Sequence, residues 1–167
     1  MNITHPDPLH PNGARVRDAL RSAGSSADIV ETVEASPTAA AAAAQLDVEV
    51  AQIANSLIFD ADGQPVLILT SGAHRVDTDH VARVIGAHSL QRASATFVRE
   101  ATGQPIGGVA PLGHPHPVRT YIDVALGQWP VIWAAGGHPH YVFATSFDEL
   151  RRLTGALEIS VVVSDGQ

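Results

Sequence analysis

Two stretches concentrate the chemistry this chain could perform. The first, Thr102–His116 (TGQPIGGVAPLGHPH), holds four glycines and three prolines; the second, Ala135–His140, reads AGGHPH. Glycine reaches φ > 0 and lets another molecule approach the main chain, while proline fixes φ and withholds a donor. Such segments present backbone N–H groups more than side chains. Those donors suit a phosphate, a carboxylate or the oxyanion of an ester under attack. A loop as long as the first is more often functional than merely connective. If the two loops open at one end of a sheet, their amides would line a shared pocket. Glycine turns with no such role are the plainer alternative.

Both loops also carry an H-x-H pair, HPHP at 114–117 and HPHY at 138–141. In an extended segment residues i and i+2 share a face, so four imidazoles could converge on zinc, nickel or copper. The spacing matches no known ligand pattern such as H-E-x-x-H, and exposed loop histidines explain the pairs more simply. Asp123 ends an apolar strand-like run. A carboxylate there is better suited to bracing a loop through backbone N–H bonds than to acid–base catalysis. Trp129 and Trp133 read as core, with base stacking at a pocket rim as the alternative.

Composition removes other chemistries. The chain has 167 residues, no cysteine and a formal net charge of −7. Its ten basic residues are all arginine. A cysteine nucleophile, a thiolate metal site, a Schiff base and a lysine–phosphate contact are therefore excluded. The acidic balance argues against tracking along a nucleic-acid backbone, so no DNA partner is expected. No serine sits in a G-x-S-x-G context, and TGQPIGG lacks the G-x-G-x-x-G spacing and its strand–turn–helix setting. No apolar run approaches a membrane span and the N-terminus lacks a signal pattern, which gives a cytoplasmic expectation with no membrane partner.

The elements that must position these residues follow from pattern. Helices are predicted over Ala14–Ala23, from Ser36-Pro37 to Leu46, from Asp77 to Ile85, from Ser94 to Gly103 and over Phe147–Thr154. The last has a capping box in Ser146 and Glu149 and a stop at Gly155. Asp62-Gly63 between SLIF (56–59) and PVLILT (65–70) is the strongest hairpin signal in the chain. Further strands are predicted over Asp28–Glu34, Val118–Asp123, Val131–Ala135, Tyr141–Thr145 and Leu157–Val163. Helices interleave with adjacent strand pairs, which favours an α+β design: a mixed sheet curled around a core, rather than a doubly wound parallel sheet. A flexible arm over residues 1–13 and a single domain over 14–167 are expected.

Several ordered blocks resemble one family. They are VAQIANSLIF (50–59), PVLILTSGAHRVD (65–77), TGQPIGGVAPLGHP (102–115), YIDVAL (121–126) and AAGGHPHYVF (134–143). Together they are similar to the YbaK/EbsC family of aminoacyl-tRNA deacylases, related to the editing insertion of bacterial prolyl-tRNA synthetases. The resemblance covers about residues 14–163. It implies a strongly curved, barrel-like mixed sheet with flanking helices, and a pocket for the aminoacylated 3′ end of a tRNA. It implies no cofactor, and it points to prolyl-tRNA synthetase as a further candidate partner. By resemblance, Gly107, Gly108, Gly136 and Gly137 shape the pocket, with Asn55 and Ser56 facing it. The expected catalytic set is Asn55, Gly107, Gly136, Gly137 and His138, and the substrate-binding set is Ser56, Gly108, Pro111 and Asp123. No metal ligand is assigned.

One departure stands out. Most family members carry lysine where this chain has Asn55, and that lysine is tied to activity. Asparagine can hydrogen-bond a substrate but supplies no cation, and no other lysine can replace it. An arginine or His138 would have to compensate. Ala135 likewise stands where some deacylases carry serine. The leading expectation is hydrolysis in trans of a small, wrongly attached amino acid from tRNA, in the prolyl system. The alternatives are a non-catalytic module that binds an aminoacyl-tRNA 3′ end or similar nucleotide, and a histidine-rich metal-binding protein.

Overall fold

Among the described residues nine strands form one curved mixed sheet. The computed structural model describes residues 3–163. The strands are β1 (Ile3–Thr4), β2 (Val30–Thr32), β3 (Ile53–Ala61), β4 (Gln64–Ser71), β5 (Leu90–Arg92), β6 (Arg119–Asp123), β7 (Ile132–Ala135), β8 (Tyr141–Thr145) and β9 (Leu157–Ile159). The helices are α1 (Pro11–Ser22), α2 (Ala39–Leu46), α3 (Thr78–Ile85), α4 (Ala95–Thr102) and α5 (Phe147–Thr154). The sheet runs β1-β2-β8-β7-β3-β4-β6-β9, with β5 attached to β3. The β3–β7, β4–β6 and β6–β9 pairs are parallel and the others antiparallel.

The hairpin joining β3 to β4 forms as its sequence requires. Asp62 and Gly63 both have positive φ (52° and 89°), the geometry of a tight turn that follows strand twist. Asp60 Oδ1 accepts the Gly63 N–H at 2.7 Å. Asp62 accepts the amides of His88 and Ser89, each at 2.9 Å, and so ties the entry of β5 to the turn. The helix ends follow the expected chemistry: Asp77, Ser94 and Ser146 cap α3, α4 and α5, and each helix stops on a glycine in the left-handed region.

Three apolar clusters fill the two faces. The largest packs α1, α4 and α5 against the sheet around Leu67, Leu69, Ile122, Ile132 and Phe143. A second places α3 on Phe59, Ile68 and Tyr121. A third seats the alanine run of α2 on Ile53, Trp133 and Val142. No helix among the described residues is long and apolar enough to cross a membrane.

The structure departs from expectation at several ends. The arm expected over residues 1–13 is, over its described part, tied to the domain. β1 pairs with β2, α1 already begins at Pro11, and the His10 N–H donates to the Tyr141 hydroxyl at 2.9 Å. His10 itself caps α1, accepting the Asn12 N–H, and histidine is no standard cap signal. Met1 and Asn2 lie outside the described residues. α2 starts at Ala39 with Thr38 as its cap, because Ser36 is used elsewhere: its N–H reaches the Pro139 carbonyl at 2.7 Å. β9 stops at Ile159 rather than Val163. β5 had no signal, since Leu-Gln-Arg is too short to show alternation.

Candidate functional site

β3 is paired along only part of one edge. The Gly72 N–H donates to the Ile53 carbonyl, so the odd-numbered residues of β3 exchange main-chain bonds with β4. The even-numbered residues point to the opposite edge. There β7 pairs at Ile53–Ala54 and β5 at Phe59–Ala61, with the Ala93 N–H reaching the Ile58 carbonyl at 3.4 Å. Ser56 falls between the two partners, so its N–H and C=O open into the split.

A cavity of about 490 Å³ occupies that split. Its floor is β3, from Ile53 to Phe59; Ala134, Ala135 and Trp133 of β7 form one wall, and His74, Arg75, Val76 and Arg92 another. Ile106, Gly107 and Val109 close it from the glycine-rich loop, and Pro37 and Thr38 from the entry of α2. Trp133 is thus both core and cavity wall, so neither reading of it excludes the other. The side chain of Asn55 makes no hydrogen bond among the described residues. It stands opposite Thr70, whose buried hydroxyl also lacks a partner. Ser56 Oγ is buried and unpartnered as well.

The glycine-rich loop is a braced wall. Gln104, 2% exposed, accepts the Ala110 N–H at 2.7 Å through its side-chain oxygen and donates its own N–H to the Thr102 hydroxyl oxygen at 3.0 Å. His114 Nε2 donates to the Ala110 carbonyl at 2.8 Å, and burial holds its imidazole below the ordinary range. At Gly107 φ is +90°, and a Cβ there would lie 3.2 Å from Pro37 Cα. At Gly108 a Cβ would lie 2.9 Å from the His138 carbonyl carbon. The two glycine-rich turns therefore meet backbone to backbone, as a shared site requires.

They do not share the work as expected. Asn55, Ser56 and Gly107 line the cavity; Gly108, Pro111, Asp123, Gly136, Gly137 and His138 do not. The Gly108 N–H is bonded to the Pro105 carbonyl and the Gly136 N–H to the Tyr141 carbonyl, so neither amide is free for a ligand. Gly137 is pressed on α1, with a would-be Cβ 3.0 Å from the Asn12 carbonyl oxygen. His138 sits behind the wall, its ring centroid 5.0 Å from His10, 5.6 Å from His140 and 4.9 Å from Tyr141. Burial first, then His10 and His140, lower its pKa against a smaller opposing pull from Glu31. His138 thus lies outside the cavity lining, and its lowered pKa disfavours the cationic form that a lysine would supply. The cations that do line it are Arg75 and Arg92, both exposed and free of ion pairs among the described residues. Among the described residues no three histidine or carboxylate side chains are grouped to hold a metal ion, so the H-x-H pairs do not converge.

One pair escaped sequence reasoning. Asp123 is fully buried and accepts the N–H groups of Ser71 (3.1 Å) and Ala125 (3.0 Å), the loop brace its position suggested. It also bonds His74 Nδ1 at 2.8 Å. The two residues are 49 positions apart, and only the parallel pairing of β4 with β6 brings them together.

Comparison with known proteins gives a consistent picture. A family model described as "Aminoacyl-tRNA editing domain" matches residues 33–153. The uncharacterized protein YwhH of Bacillus subtilis is 33% identical over 111 residues, 66% of this chain and 70% of that protein. The proline–tRNA ligase of Lysinibacillus sphaericus is 32% identical over 81 residues, 48% of this chain but 14% of the ligase. Among solved structures, a candidate trans-editing enzyme for prolyl tRNA synthetase superposes with a TM-score of 0.87 at 38% identity. That superposition covers 93% of this chain and 99% of the other.

Proposed function

The chain belongs to the aminoacyl-tRNA editing domain family, and from that premise we propose that it hydrolyses the ester joining a wrongly attached amino acid to the 3′ end of a tRNA, acting in trans. The observation that carries this reading is the cavity in the split edge of β3, whose lining brings together Asn55, Ser56 and Gly107. Its volume of about 490 Å³ lies within the usual range for a site holding a small ligand. In this reading the ester carbonyl takes N–H donors from Ser56 and Gly107. Charge that develops on that oxygen in the transition state then meets dipoles already in place. Arg75 and Arg92 supply the positive charge for the terminal phosphates, which the absent lysine would otherwise share. Only a nucleotide or two is held, which an acidic protein can do. The matches to prolyl-tRNA ligases and to a trans-editing structure support the prolyl system, with a small residue such as alanine or cysteine as the amino acid removed. They also make prolyl-tRNA synthetase the candidate partner and the cytoplasm the expected place of action.

Asn55 favours a second reading, a module that binds the acylated end without turning it over. Losing a charge-assisted contact in a dry site costs about 3–4 kcal/mol, or a hundredfold or more in rate. A deacylation panel over mischarged tRNAs separates the two: turnover identifies an enzyme, tight binding without turnover a module. Asn55→Lys is expected to raise hydrolysis of alanyl-tRNA by about a hundredfold. A fast wild type slowed by the lysine would refute the role given to this position.

A further inference from the structure

We propose that His74, oriented by Asp123, is the general base that activates water in this cavity. The proposal rests on the ester-hydrolysis reading above. Three observations carry it.

The first is the state of Asp123. Its side chain is 1% exposed and already accepts two main-chain N–H groups, from Ser71 and Ala125. A carboxylate so placed is an acceptor, so His74 Nδ1 must be the donor in the 2.8 Å contact. That fixes the tautomer and leaves the lone pair on Nε2.

The second is where Nε2 lies. His74 lines the cavity with Asn55, Ser56 and Gly107, its side chain is 30% exposed, and Nε2 bonds to nothing among the described residues. A purely structural brace accounts for Ser71 and Ala125. It leaves unexplained an imidazole in the cavity lining whose remaining nitrogen has no partner among the described residues.

The third is rigidity. The His74 N–H closes a turn on the Ser71 carbonyl at 2.9 Å, and Gly72 lies so close to Val50 that a Cβ would sit 2.5 Å from the Val50 oxygen. The ring is thus held at both its backbone and its Nδ1, the preorganisation a proton acceptor needs. The charged groups around it are its partner Asp123, the adjacent Arg75 and, on the same cavity wall, Arg92.

The step balances without a cofactor. Nε2 takes a proton from water as the water oxygen bonds to the ester carbonyl carbon, and the carbonyl electron pair moves onto its oxygen beside the Ser56 and Gly107 amides. When that pair returns, the bond from carbon to the ribose oxygen breaks. The imidazolium then gives its proton to the departing ribose oxygen. The products are the free amino acid and a tRNA with its terminal hydroxyl restored.

The test is single-turnover hydrolysis of alanyl-tRNA by the full chain across pH 5–8. His74→Ala is expected to lower the rate at least a hundredfold and to abolish its rise with pH. Added imidazole should restore activity in a concentration-dependent way. His74→Gln, which keeps the side-chain bulk, serves as a second variant, and unfolding midpoints check that both are folded. If the wild type hydrolyses the ester and both variants match its rate and pH profile, the base assignment is overturned while the editing reading stands. If the wild type binds alanyl-tRNA without hydrolysing it, both are overturned together.

Discussion

At Gly107–Gly108 one amide bonds Pro105 and the other is left open on the cavity, whereas at Gly136–Gly137 the first amide bonds Tyr141 and the second glycine is jammed on α1. The two turns share a composition and touch one another, yet of their four glycines only Gly107 lines the cavity. Glycine in the second turn answers a packing need, room for a helix. In the first it answers both packing and access. Counting glycines does not distinguish these cases; following each N–H to its partner does.

Substitutions can break this contrast. The largest expected effect is on the packed turn. Gly137→Ala combines a positive φ of +94° with a 3.0 Å approach to the Asn12 carbonyl oxygen, and should cost about 3 kcal/mol in urea unfolding. Turnover per folded molecule should be unchanged. Next comes the brace of the open turn: Gln104→Leu strands the buried Ala110 N–H and should cost about 2 kcal/mol, with a parallel loss of affinity for the acylated end. Gly107→Ala should cost only about 1–2 kcal/mol, because the turn is half-exposed, but should lower turnover about tenfold or more by misplacing the donor. If Gly137→Ala abolished turnover and Gly107→Ala did not, the contrast drawn here would be reversed.

The smallest effect sharpens what the turns have in common. His114 in one and His138 in the other are both held below the ordinary value of 6.5, chiefly by burial. The folded state therefore binds fewer protons than the unfolded chain over this range, and stability is lost as pH falls below about 6.5 toward the lowered values. Melting temperature should drop across that window, and His114→Gln should make the drop shallower.

Much of the frame was legible in the sequence. The hairpin at Asp62-Gly63, the caps at Asp77, Ser94 and Ser146, and the glycine stops are local instructions that tertiary packing did not override. The family resemblance placed Asn55, Ser56 and Gly107 at one site, and the cavity contains all three. What remained hidden depends on distant pairing. The gap in the β3 edge exists because β7 and β5 arrive from separate parts of the chain, and no window of residues around Ser56 encodes it. The His74–Asp123 contact arises in the same way across β4 and β6. His138, expected to compensate for the missing lysine, lies outside the cavity lining because the fold turns it toward the start of α1 and a neighbouring imidazole.

The gap in the β3 edge bears on how such a protein can change over generations. A hydrogen-bond donor carried by the peptide unit of Ser56 does not depend on which side chain that codon specifies; only a change to proline deletes it. Under the proposed reading, side chains on the cavity wall are therefore free to drift toward a different acyl group while the main-chain donor for the carbonyl is kept. An editing site built this way can lose an ammonium group at position 55 and still retain the part of its machinery that mutation finds hardest to reach.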